Sequence, residues 1–148
     1  VLDVDGPLTD GSIYNSNSGE QTKRFNVKDG MGIVLAQKAG IEVGIISHSS
    51  TTGMINERAN MLKLKHLYIG QRPKLEVLNE WLEEMKITSQ QVAYMGDDVN
   101  DLDIIGAVGL SASPADAVSQ VKREVTHIMS NEGGKGAVRE FIDDYLLS

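Results

Sequence analysis

The sequence predicts an α/β fold, a doubly wound, Rossmann-like parallel sheet with a projecting β-hairpin and no cap domain. Short apolar runs alternate along the chain with longer helical patterns, and this alternation is typical of a parallel sheet covered by helices. Several runs stop at a charged or hydroxyl-bearing residue, which is where ligands bind in open α/β sheets. The chain has 148 residues, and we expect a single domain over residues 1–148.

The expected strands and helices follow from these runs. Strands are expected at residues 1–4, 41–46, 66–69, 92–95, 108–111 and 125–128. Helices are expected at residues 28–39, 52–62, 73–85 and 137–147. Gly40 and Pro73 support two of these boundaries, because glycine commonly ends a helix and proline suits a first helical turn.

A hairpin is expected at about residues 12–26, where two short strands flank a polar turn of Asn, Ser and Gly. The spacing leaves no room for a cap domain. Between Asp5 and Ser47 the chain fits only the hairpin, one helix and one strand, and between Lys74 and Asp97 only a helix and a strand.

The composition excludes several classes of function. The net charge is −7, from 14 Lys plus Arg against 21 Asp plus Glu, which argues against nucleic acid or an anionic membrane as partner. There is no cysteine, so disulfides, a thiol nucleophile and a zinc-thiolate site are excluded. No apolar run is long enough to span a membrane and no signal peptide is visible, so we expect a cytoplasmic protein. The chain lacks an initiator Met, and we expect residues to be missing before Val1.

Two carboxylates one residue apart, Asp3 and Asp5, follow the first apolar run, and Gly6 and Pro7 indicate a bend after them. Two acids at such a tip repel unless a cation lies between them, and Mg²⁺ prefers sparse carboxylate and carbonyl ligands. Taken alone, the two residues could equally be turn or helix-capping acids.

Three later pieces favour the metal site. Ser47 follows the second strand, Lys74 opens the helix after the third, and residues 96–101 (Gly-Asp-Asp-Val-Asn-Asp) follow the fourth. Strand ends that carry acid, hydroxyl, ammonium and acid together make a coherent phosphate site.

In these four motifs and their order, the sequence resembles the haloacid dehalogenase superfamily of phosphotransferases over nearly the whole chain. More narrowly, it is similar to the capless branch of 3-deoxy-manno-octulosonate 8-phosphate phosphatases and related nonulosonate 9-phosphate phosphatases. The narrower likeness rests on residues 9–11, 25–33 and 133–140. The resemblance implies a Mg²⁺-dependent phosphatase of a 2-keto-3-deoxy sugar acid in lipopolysaccharide biosynthesis.

The resemblance also implies roles for the motif residues. Asp3 attacks phosphorus to form an aspartyl-phosphate, and Asp5 protonates the leaving oxygen and then activates water. Mg²⁺ is held by the carboxylates of Asp3 and Asp97 and the backbone carbonyl of Asp5. Ser47 donates to the phosphoryl group, and Lys74 supplies positive charge.

Two more acids, Asp98 and Asp101, are expected to orient metal-bound waters or the lysine. A plain alternative for both is that a helix start attracts Asp through its dipole alone. His48 follows Ser47. Two roles stay open for it, contact with the substrate and simple exposure to solvent. His66 and His127 lie in apolar strands and are expected to be structural.

The resemblance implies that the sugar acid is contacted by Asn26, Val27, Lys28, Asp29, Gly30, Arg58 and Asn100. Val34 and Ser49 stand where the octulosonate phosphatases carry arginines, and these substitutions remove bidentate carboxylate recognition. A nine-carbon keto acid phosphate is therefore an alternative substrate. It would be bound through Lys28, Arg58 and Lys135 or Arg139 of a neighbouring subunit.

In the resembled family the hairpin packs against neighbouring protomers, which implies a homotetramer. The alternative is a self-contained flap over the site. The glycine-rich residues 133–136 lack the spacing of a P-loop and are expected to form a flexible tail.

Two other classes compete with an enzyme. A receiver-type signalling domain carries its adjacent acids at the first strand and its phospho-acceptor later, which does not match Asp3 and Asp5. A non-catalytic assembly domain related to sugar cytidylyltransferases would not need Asp3, Asp5, Lys74 and Asp97.

Overall fold

A computed structural model describes residues 1–148 and shows a parallel sheet between two layers of helices. The elements in chain order are β1 (Tyr14–Asn15), β2 (Gln21–Thr22), α1 (Val27–Lys38), β3 (Gly44–Ser47), α2 (Thr52–Met61), β4 (His66–Ile69), α3 (Lys74–Met85), β5 (Ala93–Met95), α4 (Leu102–Ala107), β6 (Leu110–Ser113), α5 (Ser119–Glu124), β7 (His127–Ile128) and α6 (Ala137–Phe141). Short 3₁₀ turns occupy Ser89–Gln91 and Val99–Asp101, and a wider π-helical turn, Ile142–Leu146, follows α6.

The sheet has the order β4, β3, residues 1–3, β5, β6 and β7, and its pairings are parallel. Leu2 bridges Ile45 on one side and Met95 on the other. The backbone N–H of Leu2 donates to Gly44 O over 2.9 Å, and that of Asp3 donates to Met95 O over 3.0 Å. The N-terminal segment is therefore the central strand, which places Asp3 in the middle of the carboxyl edge of the sheet.

Helices cover both faces of the sheet. One apolar cluster joins α1, α2 and α6, and a second joins α3, α4 and α5. Ile45 packs in the first cluster and Ile46 in the second, as expected when successive strand side chains point to opposite faces. The doubly wound α/β fold without a cap domain is confirmed.

Element boundaries differ from the expected ones at the strands. The strand expected at 41–46 begins only at Gly44, because Gly40 has a positive φ of 85° and Ile41 N still donates to Ala36 O of α1. The strand expected at 108–111 lies at Leu110–Ser113, because Val108 N still donates to Ile104 O of α4.

The hairpin is present as two short antiparallel strands, with Tyr14 opposite Thr22 and Asn15 opposite Gln21. Ile13 and Tyr14 are large apolar side chains that remain exposed there. No helix in the structure is both long and apolar enough to cross a membrane.

Candidate active site

A polar crevice of about 290 Å³ lies at the carboxyl ends of the central strands. No hydrophobic residue lines it, and the lining residues are Asp3, Asp5, Gly11, Ser47, His48, Ser49, Asp97, Asp98 and Asn100. A larger cavity, of about 380 Å³, is mostly apolar and lies where the strands begin, beside Val1, Gly44 and Ala93. Only the polar crevice gathers groups that can do phosphate chemistry, so we place the active site there.

Asp3 is buried at the base of the crevice and contacts Lys74. Its Oδ2 lies 2.9 Å from Lys74 Nζ, and its Oδ1 accepts from Val4 N over 2.8 Å. Lys74 is the first residue of α3, and its side chain is 1% exposed. The first and third motifs, 71 positions apart in the sequence, thus meet in one buried ion pair.

Asp101 anchors the other side of this ion pair. Its Oδ1 accepts from Lys74 Nζ over 2.6 Å and from the hydroxyl of Tyr94 over 2.5 Å. Its Oδ2 accepts from the backbone N–H groups of Asp97 and Asp98, over 2.9 Å and 3.1 Å. Asp101 therefore orients the lysine and the loop that carries Asp97, as one of the two expected roles requires.

Lys74 is charged at neutral pH. Burial alone would lower the pKa of its ammonium, but Asp3 and Asp101 outweigh burial and hold that pKa above its usual value. The same surroundings raise the pKa of the Tyr94 hydroxyl, first through burial and then through Asp101. A fixed positive charge thus lies against the carboxylate of Asp3.

The crevice has the donors that a hard divalent cation requires. Single carboxylate oxygens of Asp3, Asp97 and Asp101 lie within 4.8 Å of one another. Both oxygens of Asp101 already accept two hydrogen bonds, whereas Asp97 Oδ1 is buried without any partner. Since a buried carboxylate oxygen without a partner is costly, Asp3 and Asp97 fit Mg²⁺ as carboxylate ligands.

Gly6 makes room for Asp97. Its φ is +107°, and a Cβ placed there would overlap the carboxylate of Asp97. The Oγ1 of Thr9 accepts from the backbone N–H groups of Gly6 and Gly11 and holds the bend in place. The glycine after Asp5 is therefore required by the close approach of two strand ends.

Gly6→Ala is expected to weaken Mg²⁺ binding and to lower turnover by about 100-fold, because the added methyl group displaces the Asp97 carboxylate. Calorimetric titration with Mg²⁺ and kcat at saturating metal would measure the two effects. Gly19→Ala is the matched control, since Gly19 also has a positive φ, 84°, but no atom lies within 4 Å of its Cβ position. Equal effects of the two substitutions would show that backbone strain, not the overlap with Asp97, is responsible.

The pKa values of Asp3 and Asp97 are raised when no metal is bound. Burial raises the pKa of Asp3 to about 7, against the attraction of Lys74. Burial, reinforced by Asp3, Asp101 and Asp98, raises the pKa of Asp97 to about 8. In the folded, metal-free protein, Asp3 and Asp97 therefore stay protonated to a higher pH than in the unfolded chain, where their pKa is 3.8.

From these shifts we expect the metal-free protein to lose stability as the pH rises from about 5 to 8, because the unfolded chain binds fewer protons. Saturating Mg²⁺ is expected to remove that loss, so the stabilisation by Mg²⁺ grows with pH. Thermal unfolding with EDTA or with Mg²⁺ across this range would measure it. Asp97→Asn is expected to flatten the pH dependence, and an unchanged slope would contradict the assignment.

The hydroxyl of Ser47 lies at the end of β3, where its Oγ accepts from Ser49 N over 3.1 Å. His48 also lines the crevice, and its Nε2 lies 2.7 Å from Arg72 O. A ring that donates from Nε2 leaves Nδ1 to accept from Asn100, whose Nδ2 is 3.3 Å away. His48 and Asn100 are thus fixed at the crevice mouth.

Asp98 lines the crevice as well, but its Oδ1 accepts from Val99 N over 2.7 Å and so caps the 3₁₀ turn. The side chain makes no hydrogen bond to Lys74. This contact agrees with the alternative that the sequence left open, in which Asp98 is present because a helix start favours Asp.

Lys23 is a site residue that the sequence analysis missed. It follows β2, and its Nζ contacts Asp5 Oδ1 and lies 3.2 Å from Ser49 Oγ. Its side chain is 1% exposed, although most lysines are solvated. The only sequence signal for Lys23 was the alternation of side chains along a short hairpin strand. That alternation does not show whether a lysine points toward the core or toward solvent.

The expected sugar-binding residues lie mostly outside the crevice, and of that set only Asn100 lines it. Asn26 caps α1, with its Oδ1 accepting from Lys28 N over 2.8 Å. Val27 and Lys28 are exposed, and Arg58 packs over the ring of Phe25.

Asp29 has a structural contact here and is 1% exposed. Its Oδ1 accepts from Arg139 N over 2.9 Å at the start of α6. Burial raises the pKa of its carboxyl group, and the N–H groups of Arg139, Gly136 and Val138 oppose that shift. Gly30 is buried next to it, and a Cβ there would overlap the guanidinium of Arg58.

The expectation of a flexible glycine-rich tail was wrong. Gly134 N donates to Pro7 O over 3.1 Å, and Gly133 N donates to Asp116 Oδ1 over 2.9 Å. A Cβ on Gly133 would overlap Gly6 O. These glycines pack against the loop that carries Asp5, because only glycine permits so close a backbone approach.

The other two histidines contact aromatic rings. His66 lies 5.2 Å from the ring of Trp81, and His127 lies 4.1 Å from that of Tyr145. Neither lines the crevice, in agreement with structural roles.

Comparison with known proteins identifies the family. Residues 66–142 match the model of the haloacid dehalogenase-like hydrolases. The 3-deoxy-D-manno-octulosonate 8-phosphate phosphatase of Escherichia coli K12 is 43% identical over all 148 residues, which span 78% of that protein. The chain belongs to the haloacid dehalogenase-like hydrolase family.

Solved structures agree with this assignment. The 3-deoxy-D-manno-octulosonate 8-phosphate phosphatase of Yersinia pestis superposes with a TM-score of 0.94 and 42% identity, covering 99% of this chain and 78% of that one. The Moraxella catarrhalis enzyme, in complex with magnesium, phosphate and KDO, gives 0.92 and 35%, covering 96% and 81%. The chain is a hydrolase of phosphate monoesters, and the expected family and activity are confirmed.

Proposed function

We propose that this haloacid dehalogenase-like hydrolase is a Mg²⁺-dependent phosphatase of 3-deoxy-D-manno-octulosonate 8-phosphate, acting through an aspartyl-phosphate. The observation that carries the proposal is the buried contact of Asp3 with Lys74 beside the unpartnered oxygen of Asp97. The similarity to phosphatases of this sugar acid, over all 148 residues of the chain, supports the substrate. The magnesium in the Moraxella relative supports the metal.

Asp3 is the nucleophile in this proposal. Its carboxylate attacks phosphorus in line, the bond from phosphorus to the sugar oxygen breaks, and the phosphoryl group is carried on Asp3 until water releases it. Lys74 offers its ammonium to the phosphoryl oxygens, and Asp101 and Tyr94 hold that ammonium in place. Ser47 donates its hydroxyl to the same oxygens.

Asp5 is the proposed acid and base. It lines the crevice on the turn after Asp3, with its side chain 37% exposed. It gives a proton to the departing sugar oxygen, and in the second step it takes one from the attacking water. Mg²⁺, held by Asp3, Asp97 and the backbone carbonyl of Asp5, would supply positive charge that brings nucleophile and phosphate together.

A panel of phosphorylated keto sugar acids, compared by kcat/KM with Mg²⁺ and with chelator, tests the function. We expect phosphate release with Mg²⁺, none with chelator, and the highest kcat/KM for the eight-carbon substrate. Equal or higher kcat/KM for a nonulosonate 9-phosphate would assign the enzyme to the nine-carbon substrate.

One observation favours that second candidate. Ser49 lines the crevice at a position where the octulosonate phosphatases are expected to carry an arginine, and Val34 replaces another. The crevice therefore has fewer guanidinium groups to bind the sugar carboxylate. A longer substrate could instead bring its carboxylate to Lys28 or Arg58.

The assembly is also a proposal. We propose one domain over residues 1–148 that assembles as a homotetramer through the hairpin and works in the cytoplasm. Exposed Ile13 and Tyr14 on the hairpin and exposed Val27 and Met31 on α1 support an interface. Light scattering would measure the assembly, and Tyr14→Ser is expected to shift it toward smaller species.

A further inference from the structure

Lys23 is a buried lysine that lies behind the crevice wall, against Asp5 and Ser49, and the mechanism above assigns it no role. Its side chain is 1% exposed, whereas the Asp5 side chain that it contacts is 37% exposed. Its ammonium donates to Asp5 Oδ1 and, over 3.2 Å, to Ser49 Oγ. A buried ammonium requires an acceptor, and Asp5 Oδ1 supplies one from the crevice side, as the oxygen of a carboxyl group can whether or not its other oxygen carries a proton.

The contact engages only one of the two carboxylate oxygens of Asp5. Lys23 is the sole donor of a hydrogen bond to that carboxyl group, so this hydrogen bond fixes the rotation of the group. Oδ2 is left without a protein partner. It is therefore the oxygen available to a substrate.

A second contact connects Lys23 to the loop that begins at Ser47, at the end of β3. Ser49 Oγ lies 3.0 Å from Thr51 Oγ1, and Ser49 N donates to Ser47 Oγ over 3.1 Å. Lys23 thus bridges the turn that carries Asp5 and the loop that carries Ser47.

We propose that Lys23 is a positioning residue that holds the carboxyl group of Asp5 in the orientation from which it protonates the leaving oxygen. In that step the bond from phosphorus to the leaving oxygen breaks, a bond from phosphorus to Asp3 forms, and the proton passes from Asp5 to the departing oxygen. The proposal rests on the proposed role of Asp5 as the acid.

The test compares kcat/KM of Lys23→Met with three substrates. These are the keto sugar acid phosphate, glycerol 3-phosphate, which has no carboxylate, and p-nitrophenyl phosphate, whose leaving group departs without a proton. The ratio kcat/KM reports only steps up to formation of the aspartyl-phosphate, so its later hydrolysis does not mask the effect.

We expect Lys23→Met to lower kcat/KM by about 10- to 100-fold for both alkyl phosphates and by less than about 3-fold for the aryl phosphate. Asp5→Asn should show the same selectivity with larger losses. The double variant should lose no more than Asp5→Asn alone, because the lysine acts through Asp5. Lys38→Met is the control, since Lys38 is exposed at the end of α1 and should change none of the three values.

Each of the following results would overturn the proposal. Equal losses on all three substrates would assign Lys23 to the fold alone, and a loss confined to the keto sugar acid would assign it to the substrate carboxylate. Additive losses in the double variant would separate it from Asp5. If Asp5→Asn shows selectivity and Lys23→Met does not, only the role of Lys23 fails; if Asp5→Asn shows none, the role of Asp5 fails and this proposal with it.

If Lys23→Met does not fold, Ser49→Ala tests the proposal in its place. This change removes the second hydrogen bond of Lys23 and leaves its pairing with Asp5 in place. The same preference for the aryl phosphate, about 3-fold in size, is expected. Thermal unfolding shows whether Lys23→Met is folded and therefore which variant is used. Equal changes in kcat/KM on alkyl and aryl substrates in Ser49→Ala would also overturn the proposal.

Discussion

Asp3→Asn is expected to lower turnover by at least about 10⁴-fold while leaving the fold intact. The amide cannot form the aspartyl-phosphate. The fold is expected to survive because Lys74 keeps its ion pair with Asp101, and because an amide occupies the volume of the carboxylate.

Steady-state kcat and trapping of a phosphorylated enzyme from labelled substrate measure this effect. The wild-type enzyme should carry label on Asp3, and the variant should carry none. Asp103→Asn is the matched control, because Asp103 is an exposed acid on α4 outside the crevice. Retention of substantial activity by Asp3→Asn would rule out covalent catalysis by this residue.

Lys74→Met is expected to lower kcat by about 10³-fold, because it removes the fixed positive charge that faces the transferring phosphoryl group. It is also expected to destabilise the metal-free protein by about 3 kcal/mol, since Asp101 and Asp3 lose their buried partner. Lys74 lowers the pKa of Asp3, so its removal raises that pKa further. The loss of stability should therefore grow as the pH rises.

Urea unfolding at two pH values, with EDTA or with Mg²⁺, would measure the second effect. Mg²⁺ is expected to restore part of the stability, because a cation between Asp3 and Asp97 replaces some of the missing charge. Lys65→Met is the control, as Lys65 is exposed. A Lys74→Met protein as stable as the control without metal would contradict the role of the buried ion pair.

The four motif residues illustrate what could be predicted from sequence. Asp3, Ser47, Lys74 and Asp97 each follow an apolar run or open the helix after one, and parallel strands bring such positions to one edge. The structure places Lys74 against Asp3 and Asp97 within metal-binding distance of it. Alternation and spacing were sufficient because the sheet fixes where every strand ends.

Asp101 was predicted only in part. Its place after Asp97 suggested a supporting role, and the structure selects contact with Lys74. The hydroxyl of Tyr94, which completes that contact, lies in an apolar strand pattern where a buried tyrosine is unremarkable.

Lys23 and Asp29 illustrate what could not be predicted. Lys23 pairs with Asp5 across 18 positions, and Asp29 contacts Arg139 N across 110. The position of Lys23 relative to Asp5 depends on how the hairpin folds back on the sheet. The contact of Asp29 depends on where α6 packs.

The sequence by itself determined the α/β architecture, the absence of a cap and the acids, hydroxyl and lysine of the proposed active site. These follow from periodicity and from residue types at strand ends, which are local properties of the chain. Only the tertiary structure decided that Lys23 is buried against Asp5, that Asp29 caps α6 and that Gly133 packs on Gly6. The physical reason is that burial and pairing of a side chain depend on residues distant in sequence, which meet only when the helices and hairpin pack on the sheet.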